Sequence, residues 1–492
     1  MKLMTKGAIA ALAAFGSSQA LAQQPGGLHA PGQEGSKNIT IVSHLPLGGA
    51  EPLLPGSTGG GNPNAAAAAA ARTTPINEAL QELGTRTADI TMEQELSRPY
   101  VYICHRFAPT GFWIVNIKDP SKPKIIYDWK IENAELGRGS GALGPMYAKS
   151  KGRYYFLQSF QFAAGGPYNE LGAIVFDVTG LPDTSKVKEV ARISDPEHPG
   201  GFHENFTYKH STGLALMFTD VTGAAMAHIY DIDKVVASGG KEGLIGNVPL
   251  PADQASAGAR PGATPGAPPR VGGYHDDYVG FDPVTQTDRF YGAGAGGYYV
   301  YDITDLKNPK LLTSMRHQSV RGGHTFVVDP TGRYAVTETE YRYSPLLVWD
   351  LKPGIDGTTP TITRPVGAWT AEWNSYAHNM EVRWPYVFVG SYDTGLQVFN
   401  MMDPSNPYTV AYYDTWDGPD AKSTQEKAFG IWSPQIRNAD GLIVGTDFVT
   451  GFWAFKMEGF DGWNGHQWGV PNISSAQDWD NGPDGLNKKK IS

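Results

Sequence analysis

The chain is almost without cysteine, and this limits how its fold can be stabilised. Cys104 is the one thiol among 492 residues, so no disulfide can form within the chain. It also lacks C-x-x-C-H haem sites, G-x-S-x-G elbows, P-loops and H-E-x-x-H motifs. These absences exclude a disulfide framework and the commonest motif-defined active sites.

Positive charge and long apolar runs are also scarce. Lys and Arg number 40 against 49 Asp and Glu, which gives a formal net charge of −9. An acidic balance argues against nucleic acid and anionic membrane surfaces as partners. Beyond the first 22 residues there is no run of 18 apolar residues, so the sequence predicts no membrane-spanning helix.

Residues 1–22 have the pattern of a secretory signal peptide. Lys2 and Lys6 form a basic region, a short apolar core follows, and an Ala-Leu-Ala tripeptide ends at Ala22. We therefore expect cleavage after Ala22 and a periplasmic or secreted protein. Loss of the two lysines changes the formal charge from −9 to −11.

The residues that are abundant favour β-structure. The chain contains 60 Gly, 36 Pro and 11% aromatic residues, which is typical of many short strands joined by tight turns. One pattern recurs, a strand that ends in Asp or Asn, a D-P-x-x-P turn and a second strand. Its clearest copy, GLQVFNMMDPSNPYTVAYYDTW, begins at Gly395. Proline at the turn fixes φ and removes a donor, so the first strand must stop there.

Seven copies of this repeat can be counted. Besides Gly395 they begin at Gly111, Gly172, Ala227, Gly297, Leu346 and Gly451. With the strand pair before it, each copy makes about four strands and roughly 50 residues, the size of one propeller blade. We predict an all-β, seven-bladed β-propeller. The seventh copy lacks a fourth strand, so we expect the lone strand at 38–45 to pair there and close the ring.

The domain organisation follows from these repeats. We expect a signal peptide at 1–22, a leader at 23–37, the ring-closing strand at 38–45, a low-complexity linker at 46–85, the propeller at 86–456 with an inserted flexible loop at 252–273, and a C-terminal tail at 457–492. The inserted loop directly precedes His275. It is either a lid over the channel mouth or an unstructured decoration.

Three repeat cores resemble a known family. Residues 111–123 and 395–407, and less strictly 297–309, are similar to LVIVD repeats. Such repeats occur in exported and surface proteins of bacteria and archaea that are taken to be β-propellers. The resemblance spans roughly residues 90–456. It implies a propeller fold and no settled activity.

Four histidines open the first strand of four consecutive repeats. They are His203 in GGFHENF, His275 in GGYHDDY, His324 in RGGHTFVV and His378 in SYAHNMEV. First strands line the channel of a propeller, so we expect the four imidazoles to meet at the channel mouth. Such a set of nitrogens suits Cu, Fe or Zn and not Ca or Mg. The alternative for each histidine alone is a structural hydrogen bond to a neighbouring blade.

A ligating imidazole needs its second nitrogen held by a carboxylate or a carbonyl. Candidates for that role are Glu204, Asp276, Asp277, Glu338, Glu340 and Glu381. In layout, though not in sequence, the arrangement is similar to the carotenoid-cleaving oxygenases, which hold iron with four histidines from separate blades. It is likewise similar in layout to the copper-dependent methanethiol oxidase (selenium-binding) family. An oxidase or oxygenase is the activity that this likeness implies.

Loops on the same face supply a candidate pocket rim. Its residues are Cys104, His105, Phe160, Phe162, Asp220, Tyr341, Tyr392, Asp393 and Phe448. Aromatic groups with a few charges suit a small organic ligand, whereas propeller rims are also rich in Tyr and Asp for turn formation alone. Cys104 and His105 are either a further ligand pair or, for the thiol, a buried filler. The remaining histidines, including His198 and His228, are interpreted as surface or structural residues.

Two functional hypotheses follow from the sequence. In the first, an exported propeller binds a transition metal through the four histidines and acts as a metal-dependent oxidase or oxygenase on a small organic substrate. Four neutral ligands without a built-in base favour this reaction class over hydrolysis. In the second, a non-catalytic propeller binds a protein, a glycan or a small molecule.

Overall fold

The structure is a computed structural model. It describes residues 35–47, 87–106, 110–137, 139–163, 165–257, 272–320, 322–373, 377–415, 430–448, 450–465 and 477–482. The expected signal peptide, most of the leader and linker, and part of the tail lie outside these residues. The insertion begins as a helix, and its residues 258–271 lie outside them as well.

Seven small sheets follow one another along the chain and form a ring, so the predicted seven-bladed propeller is confirmed. Blade 1 consists of β2 (Thr87–Met92), β3 (Tyr100–His105), β4 (Gly111–Asn116) and β5 (Lys124–Lys130). Blade 2 consists of β6 (Gly141–Ser150), β7 (Arg153–Gln161), β8 (Leu171–Asp177) and β9 (Lys188–Ser194). Blade 3 consists of β10 (Phe202–Lys209), β11 (Ala215–Val221), β12 (Met226–Asp231) and β13 (Leu244–Pro249).

The remaining blades have the same antiparallel order, with one added strand in blade 4 and an N-terminal fourth strand in blade 7. Blade 4 consists of β14 (Tyr274–Asp282), β15 (Thr287–Gly294), β16 (Gly297–Asp302) and β17 (Lys310–Met315), with β21 (Thr361–Ile362) added parallel to β17. Blade 5 consists of β18 (Thr325–Val328), β19 (Tyr334–Glu338), β20 (Leu346–Asp350) and β22 (Gly367–Trp369). Blade 6 consists of β23 (Met380–Arg383), β24 (Tyr386–Gly390), β25 (Leu396–Asn400) and β26 (Tyr408–Tyr413). Blade 7 consists of β27 (Ile431–Ile436), β28 (Ile443–Asp447), β29 (Gly451–Met457) and, outermost, β1 (Ile39–Leu45).

Helices are short and lie between strands. The described residues form α1 (Ile232–Ser238), α2 (Ala252–Ala257) and α3 (Lys352–Ile355), and 3₁₀ turns at Ala134–Leu136 and Thr184–Lys186. Among the described residues, no helix has both the length and the apolar character needed to cross a bilayer.

The place of a strand in its blade explains its composition. β3 is buried along its whole length, because neighbouring blades cover both of its faces. β5 forms the outer edge and is mostly exposed. Aromatic rings fill the space between blades, as where Phe112 of blade 1 and Phe156 of blade 2 have ring centroids 4.5 Å apart.

The repeated turns are closed by the same local contact. In three blades the turn aspartate accepts a hydrogen bond from the backbone N–H two residues later. The residues are Asp119, Asp305 and Asp403, with distances of 3.1, 3.0 and 3.0 Å. In these three blades this short-range interaction forms the turn after the third strand at the position that the repeat predicts.

The N-terminal strand closes the ring, as the sequence predicts. β1 pairs antiparallel with β29, with Ile39 opposite Met457 and Leu45 opposite Phe452. Ser43 Oγ also donates to the Pro120 carbonyl of blade 1 at 2.6 Å. The two ends of the repeat array are therefore held together by a strand that precedes all of them in sequence.

Candidate metal centre

Four imidazole rings form a row across the starts of four neighbouring inner strands. We call His203, His275, His324 and His378 the imidazole row. Successive ring centroids lie 4.2, 4.2 and 4.5 Å apart. The rings meet because blades 3 to 6 are adjacent in space and each presents its histidine at the same level.

The spacing of these rings fits coordination of one shared ion. An imidazole nitrogen binds Zn²⁺ at about 2.0–2.1 Å, which puts the ring centre about 3.2 Å from the ion. Two rings at right angles around the ion then have centres about 4.5 Å apart. The separations of 4.2 to 4.5 Å in the row agree with that geometry, and imidazole equally suits Cu and Fe.

Hydrogen bonds determine which nitrogen of His324 and His378 keeps a lone pair. Nδ1 of His378 donates to the carbonyl oxygen of Trp432 at 3.1 Å. Nδ1 of His324 lies 2.8 Å from Oγ1 of Thr325, which donates its own proton to Asn379, and 2.7 Å from the carboxylate oxygen Oε2 of Glu338. Because carbonyls and carboxylates only accept, Nδ1 carries the proton in the neutral form of both rings and Nε2 offers its lone pair.

Two buried nitrogens of the row have no hydrogen-bond partner among the described residues. They are Nδ1 of His203 and Nε2 of His324. Buried polar atoms are normally paired, because an unpaired one loses its hydration without compensation. These two atoms therefore fit the position of metal ligands better than that of structural hydrogen-bonding groups.

Glu340 adds a carboxylate beside the row. Its Oε2 lies 3.5 Å from Nε2 of His324, and donor atoms of His275, His324 and Glu340 all lie within 4.8 Å of one another. Tyr392 donates its hydroxyl to the other oxygen of Glu340 at 2.8 Å. The sequence marks Glu340 as a residue that orients a histidine, whereas the structure places it where it can itself be a ligand.

The backbone of Glu340 is held in an unusual conformation. Its φ of 53° lies in the left-handed region, which costs a non-glycine residue about 1–2 kcal/mol. The backbone N–H of Glu340 donates to the carboxylate of Glu338. The two glutamates of the Thr-Glu-Thr-Glu segment at 337–340 thus approach opposite nitrogens of one imidazole.

The charges around the row differ between its members. Burial first, and then the positive charges of Arg106 and His324, lower the pKa of His203 to about 3. Burial also acts to lower the pKa of His324, but Glu338 and Glu340 outweigh it and raise that pKa to about 9. The negative potential that holds a proton on His324 would equally favour a metal cation at this place.

A second polar layer lines the channel one residue after each histidine of the row, and blades 1 and 7 add one member each. Its members are Asp89, Glu204, Asp276, Thr325, Asn379 and Ser433, around a cavity of about 70 Å³. Asn379 Nδ2 donates to Asp89 at 2.6 Å. Burial raises the pKa of Asp276 to about 7, and burial followed by the charge of Asp89 raises that of Glu204 well above its usual value. The cavity has room for a few waters next to the row.

Asp220 and Asp277 form a buried pair of like charges between blades 3 and 4. Both are buried, and none of their four carboxylate oxygens has a hydrogen-bond partner among the described residues. Burial, followed by the charge of Asp277, raises the pKa of Asp220 well above the usual 3.8. Asp220 thus lies between blades and not on the rim of a pocket.

Asp220→Asn is expected to stabilise the protein by about 1–2 kcal/mol near pH 8, because it removes a buried, uncompensated charge. The folded-state pKa is raised, so this group's contribution to wild-type stability is complete below about pH 4 and is lost as the pH rises. The gain should therefore be absent near pH 4 and grow with pH, as measured by thermal unfolding.

The control for this prediction is Asp288, which is equally buried but satisfied. It accepts hydrogen bonds from Tyr208 at 2.8 Å and from the backbone N–H of Ser211 at 3.0 Å. Asp288→Asn should lower the free energy of unfolding by about 1–3 kcal/mol. A loss of stability in Asp220→Asn at pH 8 would contradict the assignment of an unsatisfied pair.

Aromatic side chains predicted for the rim divide into two groups. Tyr392 and Phe448 belong to a wall beside the row, with Tyr392 5.2 Å from His378 and Phe448 5.4 Å from Trp432 between ring centroids. Phe160 and Phe162 are instead fully buried in the core around blade 2, with centroids 5.8 Å apart. Tyr341 is 44% exposed.

Three further residues that the sequence predicted for the pocket rim are buried side chains. Cys104 is fully buried in the core between blades 1 and 2, and burial raises the pKa of its thiol well above the usual value. His105 stacks on Trp113 at 4.4 Å, and Asp393 is buried. These surroundings favour structural roles for all three.

Glu381 takes part in a buried polar network along the channel wall. It accepts hydrogen bonds from Arg383 and from Gln435, both at 2.9 Å. Arg383 is fully buried and also donates to the side chain of Asn438 at 2.6 Å. A buried ion pair within β23 of blade 6, with hydrogen bonds to Gln435 and Asn438 of blade 7, accounts for Glu381 without a metal.

No protein family model matches the chain, and no curated protein is significantly similar to it. Among solved structures, that of Raptor from Chaetomium thermophilum is similar, with a TM-score of 0.49 and 10% sequence identity. The match covers 77% of this chain and 29% of Raptor. The chain thus spans less than a third of that protein's length, and the likeness carries no functional argument.

Proposed function

We propose that the channel binds one transition-metal ion through His275, His324 and Glu340, with His203 and His378 as flanking donors. We further propose that the protein is a metal-dependent oxidase or oxygenase acting on a small organic molecule. The observation that supports this is the row of imidazoles 4.2 to 4.5 Å apart with a carboxylate 3.5 Å from its third ring.

The donor set supports redox chemistry. Two imidazoles and one carboxylate on one side of an ion, with open positions opposite, are the pattern of non-haem iron oxygenases, and imidazole-rich sets also suit copper. When bound, such an ion supplies one-electron and dioxygen chemistry. Zinc is compatible with the same donors, so the identity of the metal decides between oxidation and hydrolysis.

The surrounding residues of the chain hold these donors in place. Thr325 orients His324 by accepting from Nδ1 beside the Glu338 carboxylate, and the Trp432 carbonyl does the same for His378. Tyr392 fixes the carboxylate of Glu340. Because His324, His378 and Glu340 are each held by a second group, these donors keep their geometry when the ion leaves.

The aromatic wall supports a small organic substrate. Tyr392, Trp432 and Phe448 are buried side by side next to His378. The guanidinium of Arg106 lies 4.9 Å from the ring centre of Trp432 and puts a positive charge near this wall. A substrate with an apolar body and a polar or anionic end fits these surroundings.

A non-catalytic binding function is the second candidate, and exposed aromatic residues favour it. Tyr343 and Trp373 are 56% and 62% exposed, and their ring centroids lie 6.0 Å apart. Tyr341 adds a third exposed ring on the same loop. Exposed aromatic groups of this kind suit contact with a protein, a glycan or a small molecule.

Export and repeat family are proposed on sequence grounds. The basic and apolar pattern of residues 1–22 supports a cleavable signal and a periplasmic or secreted location. The turn motifs at 111–123 and 395–407 support a place among LVIVD-repeat proteins. N-terminal sequencing of the mature protein tests export, with Gln23 expected as the first residue.

The test of the proposed function is metal analysis combined with electron paramagnetic resonance on the full chain, produced with Cu, Fe and Zn supplied. We expect Fe or Cu bound in the channel with hyperfine coupling to imidazole nitrogen, and dioxygen uptake in the presence of an oxidisable substrate. A channel that takes up neither Fe nor Cu on reconstitution would overturn the proposal and favour the binding function.

A further inference from the structure

A second group of metal-type donors lies away from the channel, where the chain passes from blade 2 to blade 3. We call Asp195, His198 and His228 the rim triad. Oδ2 of Asp195 lies 3.1 Å from Nδ1 of His198 and 3.0 Å from Nε2 of His228. One donor atom from each residue lies within 4.8 Å of the others. The three side chains therefore converge on one point.

The tautomer of His228 leaves two acceptors facing each other at that point. Nδ1 of His228 lies 2.6 Å from the side-chain oxygen of Asn247 on the neighbouring strand. An amide oxygen only accepts, so Nδ1 carries the proton, and Nε2 of the neutral ring turns its lone pair towards Asp195. Two buried acceptors 3.0 Å apart need a proton or a cation between them.

The carboxylate of Asp195 is also held in the orientation of a ligand. Its Oδ1 accepts hydrogen bonds from the backbone N–H groups of Glu197 and His198 at 3.2 and 3.1 Å. This leaves Oδ2 directed at both rings. Side chains of Asp195 and His228 are 9% and 4% exposed, whereas His198 is 29% exposed. An ion here would have two buried ligands, one ligand at the surface, and access to water.

We infer that the rim triad is a second metal site, which binds a Zn²⁺-type divalent ion through two imidazole nitrogens and one carboxylate oxygen. Both donor types are those zinc prefers, and Asn247 supplies the outer hydrogen bond that fixes a ligating imidazole. Water would complete the coordination on the exposed side.

Another histidine–aspartate pair, His210 and Asp288, shows what a purely structural arrangement looks like. Nε2 of His210 lies 3.2 Å from Asp288. That carboxylate is already satisfied by Tyr208 and Ser211, and Nδ1 of His210 contacts Thr212 at 2.8 Å. The described donor groups around His210 do not form a set of three metal ligands. The rim triad differs in having a second imidazole.

The position of the rim triad gives it a structural effect. Asp195 directly follows β9, the outer strand of blade 2, and His228 lies in β12 of blade 3. His198 lies in the connection that leads into β10, five positions before His203. A bound ion would therefore tie two blades together and stiffen the entry to the strand that carries the first histidine of the row.

The test uses Co²⁺ as the probe, because its visible absorption reports low-symmetry nitrogen and oxygen coordination. The full chain carrying His324→Ala, stripped of metal, is expected to bind one equivalent of Co²⁺ with a visible band. Adding His198→Ala should weaken that binding at least about 100-fold, whereas adding His317→Ala, on a loop of blade 4, should leave it unchanged. Zn²⁺ should raise the melting temperature of the first chain and of the His317 control only.

The inference fails if the His324→Ala chain binds no Co²⁺, or if His198→Ala leaves the bound equivalent in place. Should His324→Ala impair folding, His275→Ala provides the same background. The two sites fail separately. If His198→Ala removes an equivalent of bound metal and His324→Ala does not, the rim triad is supported and the channel site is overturned. If His324→Ala removes an equivalent and His198→Ala does not, the channel site is supported and the rim triad is overturned.

Discussion

If the channel binds the proposed metal ion, the His324→Ala variant is expected to lose it, which removes one metal equivalent from each chain. Nε2 of His324 lies 3.5 Å from Glu340, and its ring is the neighbour of both His275 and His378. Removing the central donor separates the ligands on either side. The affinity for Fe or Cu should fall by about 100-fold or more, as measured by competition titration and elemental analysis.

The Glu340→Gln variant tests whether the carboxylate of Glu340 is a metal ligand or whether the ion is bound by imidazoles alone. If the carboxylate is a ligand, this variant should lose affinity almost as strongly as His324→Ala. Tyr392→Phe removes the hydroxyl that donates to Glu340 at 2.8 Å, so it should lower the affinity for the metal ion about tenfold. His198→Ala, at the rim triad, is the matched control and should keep the channel ion. Unchanged metal content in both His324→Ala and Glu340→Gln would contradict the proposed site.

Loss of the ring-closing strand is expected to destabilise the whole propeller. A chain that begins at residue 48 lacks β1, so β29 becomes an open edge and loses its antiparallel partner. This truncation also removes the buried side chains of Ile39 and Leu47 and the hydrogen bond from Ser43 to blade 1. We expect the free energy of unfolding to fall by about 5 kcal/mol, or the melting temperature by roughly 10 °C.

The matched comparison is a chain that begins at residue 35 and therefore keeps β1. The two chains differ by the described segment 35–47 alone. A synthetic peptide with the sequence of that segment should restore part of the lost stability by adding a strand to the open edge. Equal melting temperatures for the two chains would show that closure by β1 contributes little.

The fold was largely predictable because its signals are local. In three blades an aspartate just beyond the third strand caps its own turn, as at Asp119 and Asp403, so the repeat is visible without knowledge of distant contacts. A repeat of about four strands leaves few architectures open. Ring closure was predictable because the seventh repeat has only three strands, and the N-terminal strand Ile39–Leu45 belongs to no repeat of its own.

The site was predictable only in part. The four histidines recur at one position of the repeat, so their convergence follows once the repeat closes into a ring. The ligand role proposed for Glu340 was not predictable, because it depends on a left-handed backbone at that residue and on Tyr392 from another blade. The rim triad was missed because its members come from an interblade connection and from a third strand, at unrelated positions of the repeat.

The sequence by itself determined the blade number, the strand order and the position of the histidines at the start of the inner strands. These features follow from the turn motif and from the alternation of apolar and polar residues, which are repeated along the chain. The tertiary structure alone decided which carboxylates face those histidines and which, like Glu381, are engaged by Arg383. The physical reason is that side-chain direction and burial at the channel arise from packing between blades, which no single repeat encodes.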